Sequence, residues 1–355
     1  MNRDTKFNVI RTTISILIAL GISFVIIFLI SEEPLEAIKQ MITGPISRKR
    51  LFGNVIELTI PLIFTGLGVS IMFSAMQINL ASEGAFHIGG VVAAVVALNL
   101  PMPGFIHPYA AILLAGLVGA LFTFIPAILK IKTTANEIVS SLMLNYIALF
   151  FANYILNYYL RDPGAGSVAS FPLPASSKLT SIISGTNIHI GLIIALLFTA
   201  GAYIFLYKSK MGYMIRVSGQ NEDFARFSGI DILKVILISQ IIGGFIAGMG
   251  GGIQLLGLYR RFTWTALLGY GWDAIIVATL SKNNPLYVPI SAFFLAYIRI
   301  GADIMSRSTD VTPEIVSITQ GTIIILIVAK QFLAKYKHKM VAKEAKSNID
   351  AEGVE

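Results

Sequence analysis

Long apolar runs alternate with short polar connections along most of the 355-residue chain. The runs are about 20 residues long, which an α-helix needs to cross about 30 Å of hydrocarbon. The pattern therefore predicts an all-α membrane protein with about ten transmembrane helices, some of them broken or re-entrant. The predicted segments are 10–30, 54–74, 84–100, 108–129, 137–160, 188–207, 232–257, 271–281, 286–301 and 315–334.

Two of these segments begin irregularly. Segment 271–281 is too short to cross a bilayer alone, and it lies between Gly269-Tyr270-Gly271 and Asn283-Asn284-Pro285. Segment 84–100 follows Asn79-Leu80-Ala81-Ser82-Glu83-Gly84, which is equally unlike the start of a regular span. Non-helical backbone at membrane depth is tolerated only inside protein or beside a water-filled cavity. Both segments are therefore predicted to be broken or re-entrant helices buried in the bundle.

Two polar connections are long enough to have structure of their own. Residues 161–187 are rich in Pro, Gly and Ser and are predicted to form an outer loop, and residues 208–231 an inner one. A short helix is predicted inside 208–231 from a capping side chain, an acidic first turn, two phenylalanines on one face and a terminating glycine. These residues are Asn221, Glu222, Asp223, Phe224, Phe227 and Gly229. The helix either lies on the membrane surface or inserts its Phe face into a groove of a cytoplasmic partner.

Composition and charge support the membrane assignment and orient the chain. The chain is 55% hydrophobic and 13% charged, with a mean hydropathy of +0.76, whereas a soluble domain has about 25% charged residues. The net charge of +8 does not indicate nucleic-acid binding, because many cations lie in and just beyond the last apolar run. They are Lys330, Lys335, Lys337, Lys339, Lys343 and Lys346. The positive-inside rule then predicts cytoplasmic N- and C-termini. The first apolar run is longer than the apolar core of a signal peptide, so it is predicted to be a retained helix.

Polar side chains at membrane depth are the candidate functional residues, because burying an ionisable group in lipid costs at least about 2.5–3.5 kcal/mol. The acidic candidates are Glu83, Glu137 and Asp273, with Glu57 and Glu314 near segment ends. The amide candidates are Asn79, Asn136, Asn145 and Asn153. Each also has a structural interpretation, such as capping a helix. Glu83 and Asp273 both begin irregular segments in opposite halves of the chain, which hints at two related repeats.

Motifs for catalysis are missing from the sequence. The chain has no cysteine, no phosphate-binding Gly-x-x-x-x-Gly-Lys-Ser/Thr pattern and no His-Glu-x-x-His zinc motif, so no metal or nucleotide site is predicted on it. The glycines at 243–244, 248 and 250–252 have the spacing of closely packed helices rather than of a phosphate loop.

Several ordered patches resemble the permease subunits of bacterial ATP-binding-cassette (ABC) importers, in the branch that carries simple sugars and nucleosides. The patches are PLIFTGL at 61–67, INLASEG at 78–84, NEIV at 136–139, MLNYIA at 143–148, GYGWDAI at 269–275, NNP at 283–285, PEIV at 313–316 and QG at 320–321. Residues Gly212, Arg216, Gly219, Asn221, Ala225, Gly229 and Ile230 are similar to the family's cytoplasmic loop. The segment from Asn136 to Ala148 is closest to the nucleoside members. The chain departs from the family at Ala81, usually Gly, and at Ala85, often Gln.

The resemblance implies a transport subunit that binds no cofactor and hydrolyses no ATP itself. A second, often non-identical permease would pair with it, two cytoplasmic ABC ATPases would use ATP and Mg²⁺, and an extracellular solute-binding (lipo)protein would deliver solute. Residues 1–340 would form the permease domain, with 208–231 as the coupling loop, and 341–355 a polar cytoplasmic tail. The coupling residues would be Arg216, Gly219, Asn221, Phe224, Ala225, Phe227 and Gly229, and the candidate path residues Asn79, Glu83, Asn136, Glu137, Asn145 and Asp273.

Two alternatives remain open at this point. The first is a related ABC permease for simple sugars or branched-chain amino acids. The second is an ion-coupled secondary transporter that uses Glu83, Glu137 or Asp273 as a proton or cation site; it would leave the capped helix at 221–229 without a purpose.

Overall fold

The computed structural model describes residues 21–22, 24–25, 27–29, 31–133, 135–312, 314, 318 and 321. The chain divides into two compact units. Residues Ile46–Ile300 form the first, and the second combines the described parts of 1–45 and 301–355. The predicted segments 10–30 and 315–334 and the tail 341–355 fall wholly or mostly outside the described residues.

The described residues are built of helices joined by short connections. The helices are α1 (Pro34–Ser47), α2 (Lys49–Ser74), α3 (Ser82–Asn99), α4 (His107–Thr133), α5 (Glu137–Ile155), α6 (Gly191–Lys208), α7 (Lys210–Gln220), α8 (Glu222–Phe227), α9 (Ile232–Leu258), α10 (Tyr270–Leu280) and α11 (Val288–Ser308). A π-helical turn, Leu156–Leu160, extends α5, and a 3₁₀ turn, Pro285–Tyr287, precedes α11. Seven of these helices are long and apolar enough to cross a membrane, and α10 is apolar but short. The predicted all-helical membrane fold is thus confirmed.

Two helices were not predicted from the sequence, because neither is an apolar run of membrane-crossing length. Helix α1 has only 14 residues and lies in the connection that follows the first predicted segment. It packs in its own unit, where an added Cβ at Gly44 would lie 2.8 Å from the Ile304 side chain. Helix α7 occupies the first part of the 208–231 loop, which the sequence analysis had left irregular.

Helix α9 lies at the centre of Ile46–Ile300, between α2, α3 and α4. Its glycines allow backbones to touch: a Cβ on Gly68 would lie 2.5 Å from the carbonyl oxygen of Gly243, and a Cβ on Gly119 2.5 Å from that of Gly244. Small residues let membrane helices approach this closely, where dispersion forces hold them together. The close-packing interpretation of the α9 glycines is confirmed.

The two ends of this unit are built differently. At one end, α2 and α4 finish, α5 and α9 begin, and helices α7 and α8 form the connection between α6 and α9. At the other end, the loop between α5 and α6 lies against the chain leaving α9, with Leu173 N donating to Arg260 O at 2.9 Å and Ser170 N to Phe262 O at 3.0 Å. An Arg261–Asp162 ion pair at 2.5 Å adds to this attachment.

Candidate functional site

A non-helical segment, residues 75–81, joins α2 to α3. Met76 takes a left-handed backbone conformation with φ 54°, which is uncommon for a residue with a side chain. The turn is closed by backbone bonds from Met76 N to Phe73 O at 3.0 Å and from Gln77 N to Met72 O at 3.1 Å. The segment places the start of α3 inside the bundle, as the irregular sequence before Gly84 predicted.

A chain of polar side chains holds this segment to three helices. Lys130 of α4 donates to Gln77 at 2.5 Å and to the Glu137 carboxylate at 2.7 Å. Glu137 in turn accepts from the Gln240 amide of α9, and Gln240 accepts from the Asn79 amide. Buried polar groups are costly unless they are paired, so such a network also specifies one arrangement of the helices. Asn79 and Glu137 are predicted path residues that the structure brings together here.

The sequence analysis missed the other three members of this network. The amide candidates were all asparagines, so the amides of Gln77 and Gln240 were passed over. Gln240 nevertheless interrupts the apolar run 232–257, and that interruption was a usable signal. Lys130 was passed over because only acidic and amide side chains were considered.

Two further predicted path residues stabilise the same end of the unit. Asn145 accepts from Gly84 N at 2.8 Å and donates to Leu80 O at 3.0 Å, so it fixes the start of α3. Asn136 caps α5 by accepting from Ile138 N at 2.9 Å. A cavity of about 460 Å³ opens beside this region. It is lined by Met76, Ile78, Lys130, Ala135, Asn136, Glu137 and Ile138.

Glu83 joins the starts of α3 and α10. One carboxyl oxygen accepts from Gly269 N at 2.7 Å and the other from Gly271 N at 2.5 Å. Gly269 has φ 85°, a left-handed conformation that glycine adopts without steric cost. The first N–H groups of a helix have no partner within it, and a carboxyl group suits the positive end of the helix dipole. Two helix N-termini therefore meet inside the bundle around one acidic side chain.

Asp273, in the first turn of α10, forms an ion pair with Arg299 of α11. Both guanidinium NH groups reach the carboxylate at 2.6 Å. Arg299, which lies within helix Val288–Ser308, was not among the candidate residues. Glu57 of α2 is also buried and accepts from Gln254 at 2.7 Å.

Aromatic rings at the starts of α3 and α10 pack together near Glu83. Trp264, on the chain between α9 and α10, stacks on Phe86 with ring centroids 5.6 Å apart, and Tyr270 lies 4.8 Å from the same ring. His87 lies 5.9 Å from Trp264. Aromatic contacts therefore also join α3 to α10.

The capped helix predicted in the inner loop is present as α8. Asn221 accepts from Phe224 N at 2.9 Å, and Gly229, with φ 77°, ends the helix. Phe224 and Phe227 are 59% and 92% exposed, whereas Ala225 is buried. The two phenylalanines thus lie on the outer surface of the loop.

Arg216 and Gly219 lie on α7 and face the bundle. Arg216 donates to Leu206 O at 3.0 Å, and its guanidinium carbon lies 4.6 Å from the centre of the Tyr207 ring. A Cβ added to Gly219 would lie 2.9 Å from the carbonyl carbon of Ser74 at the end of α2. These two residues attach the loop to α6 and α2.

The span-length helices define a multi-pass membrane protein, with helix starts inside the bundle and an exposed helix in residues 208–231. A family model described as "Branched-chain amino acid transport system / permease component" matches residues 51–328, and the chain belongs to this family. It is accordingly one component of a transport system that has other subunits.

Three relatives are similar over most of their length. The guanosine ABC transporter permease protein NupP of Bacillus subtilis is 32% identical, covering 80% of this chain and 82% of the relative. The nucleoside ABC transporter permease protein NupB of Lactococcus lactis is 25% identical over 93% of each chain. The glucose ABC transporter permease protein TsgB13 of Haloferax volcanii is 27% identical over 91% of this chain and 88% of the relative.

Proposed function

We propose that this chain is the permease subunit of an ATP-driven importer that carries nucleosides across the bacterial plasma membrane. Its family membership and its similarity to NupP and NupB support this function. A sugar is the second candidate solute, since TsgB13 is named for glucose.

The observation that carries the ATP-driven mechanism is the surface of α8. Two phenylalanines three residues apart lie exposed on a capped six-residue helix. Exposed aromatic side chains that share a helix face are suited to insertion into an apolar groove of a protein partner. The proposed partner is a cytoplasmic ABC ATPase, which binds ATP and Mg²⁺ and performs the hydrolysis, while this chain binds no cofactor.

The remaining subunits follow from the same proposal. A second permease, non-identical to this chain, pairs with residues 1–340, and an extracellular solute-binding (lipo)protein delivers the solute. The N-terminus and the tail 341–355 lie in the cytoplasm, on the side of α7 and α8. No nucleic acid is involved.

The proposed path runs beside the Glu83 junction and the Asp273–Arg299 pair. Asn79, Asn136, Asn145 and Glu137 shape its inner end, and their hydrogen bonds are directed to the protein itself. We therefore assign to these four residues the role of holding the path open at a fixed width rather than of binding the solute.

Uptake of radiolabelled guanosine by cells with and without the gene tests the substrate. We expect uptake to fall on deletion, and unlabelled nucleosides to compete while ribose and leucine do not. Unchanged guanosine uptake, with loss of glucose or leucine uptake instead, would replace the solute and leave the ATP-driven mechanism standing.

Substitution of α8 tests the ATPase contact separately. Phe224→Asp places a charge on the proposed docking face, so we expect the ATPase to be lost on purification while the permease still reaches the membrane. Phe105→Asp is the matched control, because Phe105 is also exposed but lies in the connection between α3 and α4. Equal ATPase recovery with both variants would contradict the assignment of α8.

A further inference from the structure

The contact between α7 and α2 suggests how movement of the inner loop reaches the bundle. Gly219 packs against the backbone at the end of α2: an added Cβ would lie 2.9 Å from the Ser74 carbonyl carbon and 3.4 Å from Ala75 Cα. Backbone atoms cannot rotate away as a flexible side chain can. The contact therefore transmits displacement between α7 and α2 with little loss.

A second contact, one turn earlier on α7, fixes the helix to α6. Arg216 hydrogen-bonds the Leu206 carbonyl and lies over the Tyr207 ring, both on α6. At the other end of the loop, Asp231 caps α9 by accepting from Lys234 N at 3.1 Å. Because both ends are held by the bundle, α7 and α8 are placed to move with their attachments rather than as a loose loop.

Ser74 lies directly before the non-helical segment 75–81. That segment is bound through Gln77 to Lys130 and through Asn79 to Gln240, and it continues into α3, where Glu83 accepts from the first amides of α10. Closely packed interiors respond to small shifts by switching between discrete arrangements rather than by deforming continuously. A shift at Ser74 therefore reaches the start of α3 and the Glu83 junction.

We infer that Gly219 is the positioning residue through which the inner loop drives segment 75–81, and with it the meeting point of α3 and α10. This inference rests on the proposed ATP-driven function and goes beyond it, because it names the contact that carries the movement. The exposed side chain of Ile78 is then a reporter of that movement.

The chain contains no cysteine, so a single Ile78→Cys substitution gives a unique labelling site in this subunit. In the assembled transporter, with the other subunits made cysteine-free, maleimide labelling at this site is measured with ATP absent and with ATP hydrolysis trapped by vanadate. Two further variants are compared in that background. Gly219→Ala adds the Cβ that overlaps Ser74, and Gly201→Ala makes the same substitution in α6, where no atom lies within 4 Å.

We expect the labelling rate to differ between the two states by at least about fivefold, the lower end of typical coupling effects. Gly219→Ala should abolish the difference and lower uptake per ATP hydrolysed, with the ATPase still bound, whereas Gly201→Ala should preserve both. A persistent difference in Gly219→Ala overturns the inference, and so does a parallel loss of assembly, uptake and hydrolysis. Equal labelling rates in the two nucleotide states, in the Ile78→Cys protein with Gly219 unchanged, also overturn it. Guanosine uptake by the same preparation shows separately whether the proposed function stands.

Discussion

Replacing Glu83 with alanine should destabilise the permease more than replacing an exposed acidic residue. The carboxyl group accepts two hydrogen bonds, from Gly269 N at 2.7 Å and Gly271 N at 2.5 Å. Glu83→Ala leaves two backbone N–H groups without acceptors at the start of α10. The side chain is buried, so water does not reach these amides to replace the lost oxygens.

The magnitude follows from the number and type of the bonds. A hydrogen bond to a charged group contributes about 1.5–3 kcal/mol, so two give a loss of about 3–6 kcal/mol in the free energy of unfolding. Glu83→Gln keeps one acceptor oxygen but directs an amide donor at the other N–H group. We therefore expect Glu83→Gln to lose roughly half as much as Glu83→Ala, since one of two such bonds remains.

The assay is equilibrium unfolding of the full chain in mixed detergent micelles, followed by tryptophan fluorescence. The chain has two tryptophans. Trp264 stacks on Phe86, and Trp272, 46% exposed, lies in the first turn of α10, so both report on this junction. Glu33→Ala, at an exposed position, is the control. A loss of no more than about 0.5 kcal/mol for Glu83→Ala, the range of exposed positions, would refute the argument.

Two further predictions concern the hydrogen-bond network around Gln240 and the loop between α5 and α6. Gln240→Leu leaves the Asn79 amide and one Glu137 oxygen without partners, so the melting temperature should fall; a rise would show that apolar packing outweighs the network. Arg261 beside Asp162 lowers the pKa of that carboxyl below 3.8, so the pair stabilises the loop above about pH 4 and the contribution is lost as pH falls below that value. Protection of the loop between α5 and α6 from hydrogen exchange, corrected for intrinsic rates, should therefore be constant from pH 7 to 5 and should drop below pH 4. Asp162→Asn should remove this drop in protection.

Apolar run length was sufficient to predict every membrane-crossing helix among the described residues, because lipid leaves a backbone few alternatives. It was insufficient for α1 and α7, since short helices of mixed polarity depend on tertiary packing. Gly212 and Gly219 let α7 lie against other backbones, and such contacts have no signature in a hydropathy pattern.

The sequence identified individual residues of the candidate site but not which of them contact one another. Glu83 and Asp273 were singled out by the cost of burying a charge, and both are buried in the structure. Their partners were not predictable, because Glu83 binds backbone amides 186 and 188 residues away. Arg299, the partner of Asp273, was not among the candidates, because only acidic and amide side chains were considered.

The partners of the buried acids bear on which solute the permease accepts. Within the described part of Ile46–Ile300, Glu57 pairs with Gln254, Glu83 with two backbone amides, Glu137 with Lys130, and Asp273 with Arg299. A zwitterionic amino acid would need unpaired charges of both signs to replace its hydration, because desolvating an ion without a partner is strongly unfavourable. These four acids are already engaged, so the arrangement favours a neutral solute that binds by hydrogen bonding and stacking. The proposed nucleoside and the alternative sugar both meet that requirement.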